Sequence, residues 1–440
     1  PPPPPGPTCA LDTMDVVASA QAAEAGGPAA AVEPASTSAD SVDPAGAPMS
    51  STTTTRVPAR LPSSLDARIG EFCTMLRRGQ IPESAAICAR KTAELLRSVV
   101  STCKSHDPDA VAELVVRVGE RIADSRPSQL AIYNVMRRVV KSIRDESARI
   151  SAGFGDDDDE NDGHHDHHGS SARRGAAGNT HLLDLAAPLP RRGGERQASV
   201  SGADANKWKK DVADDIGLFL DDLDECKMKV AEAAPELIRD HESVLAVPGG
   251  GQLATATAFF NEAAKRRGNR FDVAVLEGSP ECRGHAMARM LADGNVPTTL
   301  APDAAAFALA GRVDKVVLVA DAVLADGSVL TSSGGRAVAM AAHKNGVPVV
   351  VLAGVHKVTP LYAQDARVVR ALDEEHAPSN ALGLEWTGTC EAGGASLSVI
   401  APRLDVVEVA LVDILVTDQG THAPFYAHRL VSDLYGVEMM

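Results

Sequence analysis

Nothing in this chain reads as a cysteine framework. The seven cysteines, at positions 9, 73, 88, 103, 226, 282 and 390, are scattered, odd in number and include no CxxC pair. Neither a disulfide scaffold nor a structural zinc site is expected, and a reducing cytosol is the natural compartment. Basic charge is also scarce, since 43 Lys and Arg against 59 Asp and Glu leave a net charge of −16. Surfaces for nucleic acid or anionic membrane need clustered cations, so direct binding to either is not expected. No Lys or Arg precedes Arg56, so the basic n-region of a signal peptide and the Arg-rich character of a transit peptide are missing there. Long apolar runs are absent too. The longest uncharged stretch, Ser243 to Asn261, is broken by Pro248 and three glycines, which rules out a transmembrane helix in that stretch.

What is present divides the 440 residues into segments, within a size prior of two or three domains. Residues 1–63 are rich in Pro, Ala, Ser and Thr and read as a disordered tail, because they have too little apolar surface to offset the entropy of ordering. Residues 64–147 read as a helical domain. Cys88, Thr92, Leu95, Leu96 and Val99, then Val111, Leu114, Val115, Val118 and Ile122, then Ile132, Val135, Met136, Val139 and Ile143 recur at helical spacing. The third of these helices also carries Arg137, Arg138 and Arg144, either a solvated face or a docking surface for an acidic partner. Residues 148–205, with DDDDEND and the HHDHH run His164 to His168, read as a disordered insertion. Their histidines have no apolar frame to fix a metal geometry, so no metal is assigned. Residues 206–235, with Val212, Ile216, Phe219 and Leu223, return to helical spacing and complete the arm.

From 236 to 440 the pattern alternates. Apolar runs at Asp272–Leu276, Thr298–Leu300, Lys315–Ala320, Val347–Leu352 and Leu411–Val416 are separated by helical segments. Strands alternating with helices imply right-handed crossovers and a doubly wound, mainly parallel, Rossmann-like sheet. The fold class is therefore α/β, with a helical arm in front. The alternation begins at Ser243 to Thr255, where the run Val244 to Val247 ends in Pro248 and three glycines before a helix starting near Leu253. Gly249, Gly250 and Gly251 with Thr255 form either a phosphate cradle or a plain structural turn, and the stretch fits neither GxGxxG nor GxxxxGK[ST]. Glu277 and Asp321 follow strand ends, where ligands sit in such folds. They are either a carboxylate pair for proton transfer or helix caps and partners of Arg283 or Arg312.

Several motifs in a fixed order now carry a resemblance. They are Glu277-Gly-Ser-Pro-Glu-Cys-Arg-Gly-His285, Pro302 to Phe307 with Arg312 to Val316, Ala325-Asp-Gly327, Thr417-Asp-Gln-Gly420 and Ala423-Pro-Phe-Tyr426. Together they resemble the family shared by the regulatory subunits of translation initiation factor 2B and the methylthioribose-1-phosphate isomerases. Gly354 to Asp365 is most similar to the beta type of subunit, and Arg78-Gly79, Thr92 to Arg97, Pro127 and IRDE ending at Glu146 are similar to that type's helical domain. The resemblance covers residues 65–147 and 206–440. It implies a non-catalytic member of the guanine nucleotide exchange complex acting on initiation factor 2. The implied partners are the alpha, gamma, delta and epsilon subunits and initiation factor 2, chiefly its alpha subunit, whose phosphorylation the helical arms sense. No cofactor is implied.

The departures from the isomerase members point the same way. Where they carry a cysteine after the first strand, Pro248 stands here, the arginine after the catalytic aspartate is Ala322, and the NGD motif with its lysine is replaced by Asp326-Gly327-Ser328 and Ser332. A proline has neither thiol nor ionisable group, so no isomerase activity is expected even though Asp321 matches the family's aspartate. The competing reading keeps the glycine turn as a phosphate cradle, with Glu277 or Asp321 on the hydroxyls of a sugar phosphate.

Overall fold

The computed structural model describes residues 61–81, 84–151, 202–249, 251, 253–268, 270–279, 281–364 and 402–436. The tail up to residue 60, the acidic, histidine-rich insertion and Gly250 lie outside the described residues.

Five helices make the arm: α1 (Ser63–Arg77), α2 (Ala85–Thr102), α3 (Pro108–Ala123), α4 (Leu130–Ser151) and α5 (Gly202–Glu232). Each of the expected apolar stripes is buried, including Leu96, Val99, Val115, Ile122, Ile132, Val139, Val212 and Phe219. The start of α3 follows from Pro108 in its first turn and from Asp107, whose carboxylate accepts the Asp109 amide at 3.2 Å. The helices run past the expected limits, α4 to Ser151 and α5 back to Gly202. A short α6 (Ala234–Leu237) then leads into the sheet.

The sheet is built from β1 (Ser243–Val247), β2 (Asp272–Leu276), β3 (Thr298–Ala301), β4 (Lys315–Val323), β6 (Val349–Leu352), β8 (Ile414–Thr417) and β9 (Gly420–His422). Their spatial order is β3-β2-β1-β4-β6-β8-β9, parallel throughout except for the last pair. The chain runs outward from β1 to β3 and then crosses to β4 on the other side of β1. This reversal makes β1/β4 the topological switch point. Side chains alternate between two helical layers. Leu245, Val247, Val316, Leu318, Val349 and Val351 meet α9 (Gly335–Asn345) and the closing helix α10 (Ala427–Tyr435), while Val244, Ala246, Val317, Val319 and Leu352 meet α7 (Leu253–Arg267) and α8 (Arg283–Asp293). Burial on both faces explains the unbroken apolar runs.

Two more strands, β5 (Val329–Ser332) and β7 (Leu404–Val407), extend the second half of β4 as an antiparallel annex. The expected strand Leu411–Val416 begins only at Ile414, because Val409–Leu411 is a 3-10 turn. Against the annex lies the arm, since Ala322, Leu324, Leu330 and Leu361 join the arm's core. Among the described residues, no helix is long and apolar enough to cross a membrane.

Candidate functional site

The switch point is where a ligand would sit, and here the chain's own atoms occupy much of it. After β1 the Pro248 carbonyl accepts the Ser332 hydroxyl at 2.6 Å. A methyl group on Gly249 would lie 2.6 Å from Val319 Cβ, so the chain presses onto β4 as only glycine can. Gly251 follows with φ 151°, and Thr255 is buried in the first turn of α7. After β2, Gly278 has φ 70° and stands so close to the Pro248 ring that an added methyl would lie 2.7 Å from Cγ. The amides of Gly278 and Ser279 converge as an anion-binding turn does, but Asp303 fills it, accepting them at 3.0 and 2.6 Å.

Asp321 sits on β4 at a register shift between Ala320 and Ala322, where the strand passes from the parallel sheet into the antiparallel annex. Bulges of this kind re-aim a side chain. It lines a narrow cleft of about 70 Å³ with Arg126, Glu281, Ser332 and Arg403. Arg403 Nε donates to Glu281 at 3.1 Å, and Arg283 pairs with Glu281 rather than with Glu277. Of the residues expected at the pocket, Asp321 lines that cleft, whereas Glu277, Gly249 and Thr255 do not. Small-molecule pockets usually offer ~300 Å³ or more; this space is a fraction of that.

A buried polar cluster behind the cleft escaped the sequence reading. It is centred on the 3-10 turn Val355–Lys357 after β6, where Lys357 is 2% exposed. Its ammonium donates to the Ala320 carbonyl. Burial pulls the Lys357 pKa down to about 8, while the nearby Asp321 carboxylate favours the charged form. Burial, reinforced by Lys357, lowers His356 to about 3, so its imidazole is neutral. Cys226 from α5 stands 4.0 Å from His356 Nδ1, and burial pushes its thiol up to about 12. Asp418, after β8, accepts the Val355 amide at 2.6 Å, and burial raises its carboxyl. Asn134 of α4 donates to the His356 carbonyl at 3.1 Å, tying arm to sheet. The one visible signal was a lysine inside GVHK, beside a strand end.

The three arginines of α4 do not form a common exposed face. Arg137 is 6% exposed, and burial lowers its pKa against the favourable influence of Tyr435 and Tyr133. Arg138 lies 4.5 Å over the Phe219 ring and 4.0 Å from Asp222, so much of it is engaged with α5. Arg144 is half-buried and already has a partner. The basic docking surface expected from their spacing is therefore corrected at Arg137, which belongs to the interior.

A helical arm folded onto the annex of a Rossmann-like sheet, with a constricted switch point, defines the class of protein as α/β. The chain belongs to the Initiation factor 2 subunit family, whose model matches residues 81–424. Similar curated proteins include "Translation initiation factor eIF2B subunit beta" of Dictyostelium discoideum, 31% identical over 83% of this chain and 94% of that protein. The protein of the same name in Schizosaccharomyces pombe is 26% identical over 82% and 93%. A ribose 1,5-bisphosphate isomerase of Haloterrigena turkmenica is 30% identical over 50% of this chain and 66% of its own length. The crystal structure of eIF2B beta from Chaetomium thermophilum has the same fold, with a TM-score of 0.61 at 24% identity over 86% of this chain and 94% of that one. A chain of the tetrameric eIF2B-beta2-delta2 complex from C. thermophilum gives 0.59 at 24% over 85% and 96%.

Proposed function

We propose that this protein is a regulatory, non-catalytic subunit of the exchange complex for translation initiation factor 2. It promotes GDP-to-GTP exchange as part of that complex and takes part in sensing phosphorylation of the factor's alpha subunit. The observation that carries the reading is the state of the switch point. By the resemblance, Pro248 stands where the isomerase members carry a thiol; its carbonyl is held by Ser332, and Asp303 fills the anion-binding turn beside it. Acid–base isomerisation needs a nucleophile or proton carrier with room for a five-carbon sugar phosphate, and about 70 Å³ lacks that room. The beta-subunit relatives, matched along most of their length, support the choice.

The partners proposed are the alpha, gamma, delta and epsilon subunits and initiation factor 2, in the cytosol. The assembly of a relative with delta chains supports the first of these. Tagged full-length chain purified from its own cells should bring down the other subunits together with exchange activity. Charge reversal at Arg138 and Arg144 should weaken assembly or inhibition by the phosphorylated substrate. A solitary monomer, or turnover of ribose 1,5-bisphosphate or methylthioribose 1-phosphate by the pure chain, would reject the reading.

One observation favours a second reading, a sugar-phosphate sensor. Asp321 retains a buried lysine neighbour at the switch point. A rise of several degrees in melting temperature with a sugar phosphate, absent with sulfate, would favour it.

A further inference from the structure

One charge inside the protein lacks a counter-charge. Along α4, Asn134, Arg137 and Lys141 fall on one face of the helix. The outer two stitch the arm to the α/β domain: Asn134 donates to the His356 carbonyl at 3.1 Å, and the Lys141 ammonium donates to the Asp433 carbonyl in the last turn of α10. Between them stands Arg137, 6% exposed. Among the described residues it makes no hydrogen bond and no ion pair. The ionisable group it feels most is Tyr435, the last residue of α10.

Neither neighbouring tyrosine supplies the missing charge. Tyr435 donates its hydroxyl to the Val358 carbonyl at 2.6 Å, and burial raises its pKa and that of Tyr133, so both phenols stay neutral. Carboxylates on the adjoining helices are engaged elsewhere. Asp222 lies 4.0 Å from Arg138, Asp215 accepts the Ser142 hydroxyl at 2.7 Å, and Asp433, well exposed, lies 3.8 Å from Arg429. A guanidinium does not shed its proton inside a protein, so a buried one persists where a carboxylate meets it. Beyond Tyr435 the chain turns at Gly436, with φ 83°, and its sequence continues Val437-Glu438-Met439-Met440. Glu438 is the one acid there. It follows Tyr435 by three residues, a reach of up to about 10 Å of chain.

We propose that the segment after α10 is a strap that folds back on α4 and sets the Glu438 carboxylate on the Arg137 guanidinium. The guanidinium fork takes both oxygens of one carboxylate. Lys141, one turn further along α4, offsets the partial negative charge at the end of α10 that would otherwise repel the acid. The joint between arm and sheet thereby gains an ionic fastener midway between its two neutral-acceptor stitches. Releasing the strap leaves a bare buried charge in the joint, so the arm's hold on the sheet depends on it. The strap is independent of the subunit reading and of the switch point.

The test is hydrogen exchange with mass spectrometry on the full chain, read at the amides of α4 and of the last turn of α10. Glu438→Gln is expected to speed exchange there by roughly tenfold, the size of coupling that contacting charges show. Glu438→Asp, which keeps the charge on a shorter stem, should fall between. Arg137→Met replaces the buried charge with an apolar side chain of similar length, and in that background Glu438→Gln should change nothing further. Sodium acetate, compared with sodium chloride at equal ionic strength, should slow exchange in the Glu438→Gln chain toward wild type and leave wild type unchanged. That comparison decides the matter if Arg137→Met does not fold. Wild-type exchange in the Glu438→Gln chain overturns the proposal and leaves Arg137 to an acid from another molecule. Equal acceleration by Glu438→Gln in the Arg137→Met background, slowing of wild type by acetate as strong as that of the variant, or no response of the variant to acetate overturns it as well.

Discussion

Substituting Lys357 by Met tests whether a charge really sits behind the switch point. The lysine is 2% exposed, and its pKa falls from 10.5 in the open chain to about 8 in the fold. A folded-state pKa below the unfolded one means that the unfolded chain binds the proton more tightly. The protonated lysine therefore costs stability at every pH below about 8, and the cost is lifted as pH rises from about 8 to about 10.5. At 1.36 kcal/mol per pKa unit the swing is about 3 kcal/mol. At pH 7 the Met variant loses that cost, but it also leaves the Ala320 carbonyl without its donor and Asp321 without its cation, a penalty of ~1–3 kcal/mol. The two terms nearly cancel there, so a single measurement at neutral pH decides nothing. The informative quantity is the difference between wild type and variant, followed by urea unfolding from pH 7.5 to pH 10. Tyrosines and other lysines titrate in both proteins and drop out of that difference. Wild type should gain about 2 kcal/mol on the variant across this window, the rest of the swing lying above pH 10 and below pH 7.5. Parallel stability curves would mean that Lys357 titrates normally and is not desolvated.

Three further outcomes follow from the same contacts. Gly249→Ala places a methyl 2.6 Å from Val319 Cβ, and overpacking should lower stability by ~1–3 kcal/mol, read as a fall in melting temperature. Pro248→Cys introduces a thiol where the resemblance places that of the isomerases but leaves Asp303 in the anion-binding turn, so it should yield no turnover of ribose 1,5-bisphosphate in a coupled assay. Brief alkylation of the native chain followed by peptide mapping should label exposed Cys282 and spare Cys226, whose thiol burial pushes up to about 12; labelling at Cys226 would show that the arm opens.

The parallel strands were legible because burial on both faces writes itself as a continuous apolar run, as in Val349–Leu352. Strands β5, β7 and β9 were not, since three or four residues such as Gly-Thr-His at Gly420–His422 carry no period to read. Arg137 misled for a physical reason. Helix α4 packs against α2, α3, α5 and the turn at Val355–Lys357, so it is buried almost all round along 130–137 and its intervening positions do not face water. Asp321 was expected just after a strand ending at Ala320, but β4 runs on to Val323, so the residue lies within the strand, at the register shift between its parallel and antiparallel halves. The lysine behind it was invisible, because desolvation is a property of the packing around a residue and leaves no mark on its neighbours in sequence.

Strand β4 belongs to two structures at once. Its first half pairs with β1 and β6, its second half pairs with β5, and Ala322 and Leu324 at its far end lie in the arm's interior. It acts as a shared beam: a load that tilts the five helices must bend this strand at Asp321 or carry the sheet along with it.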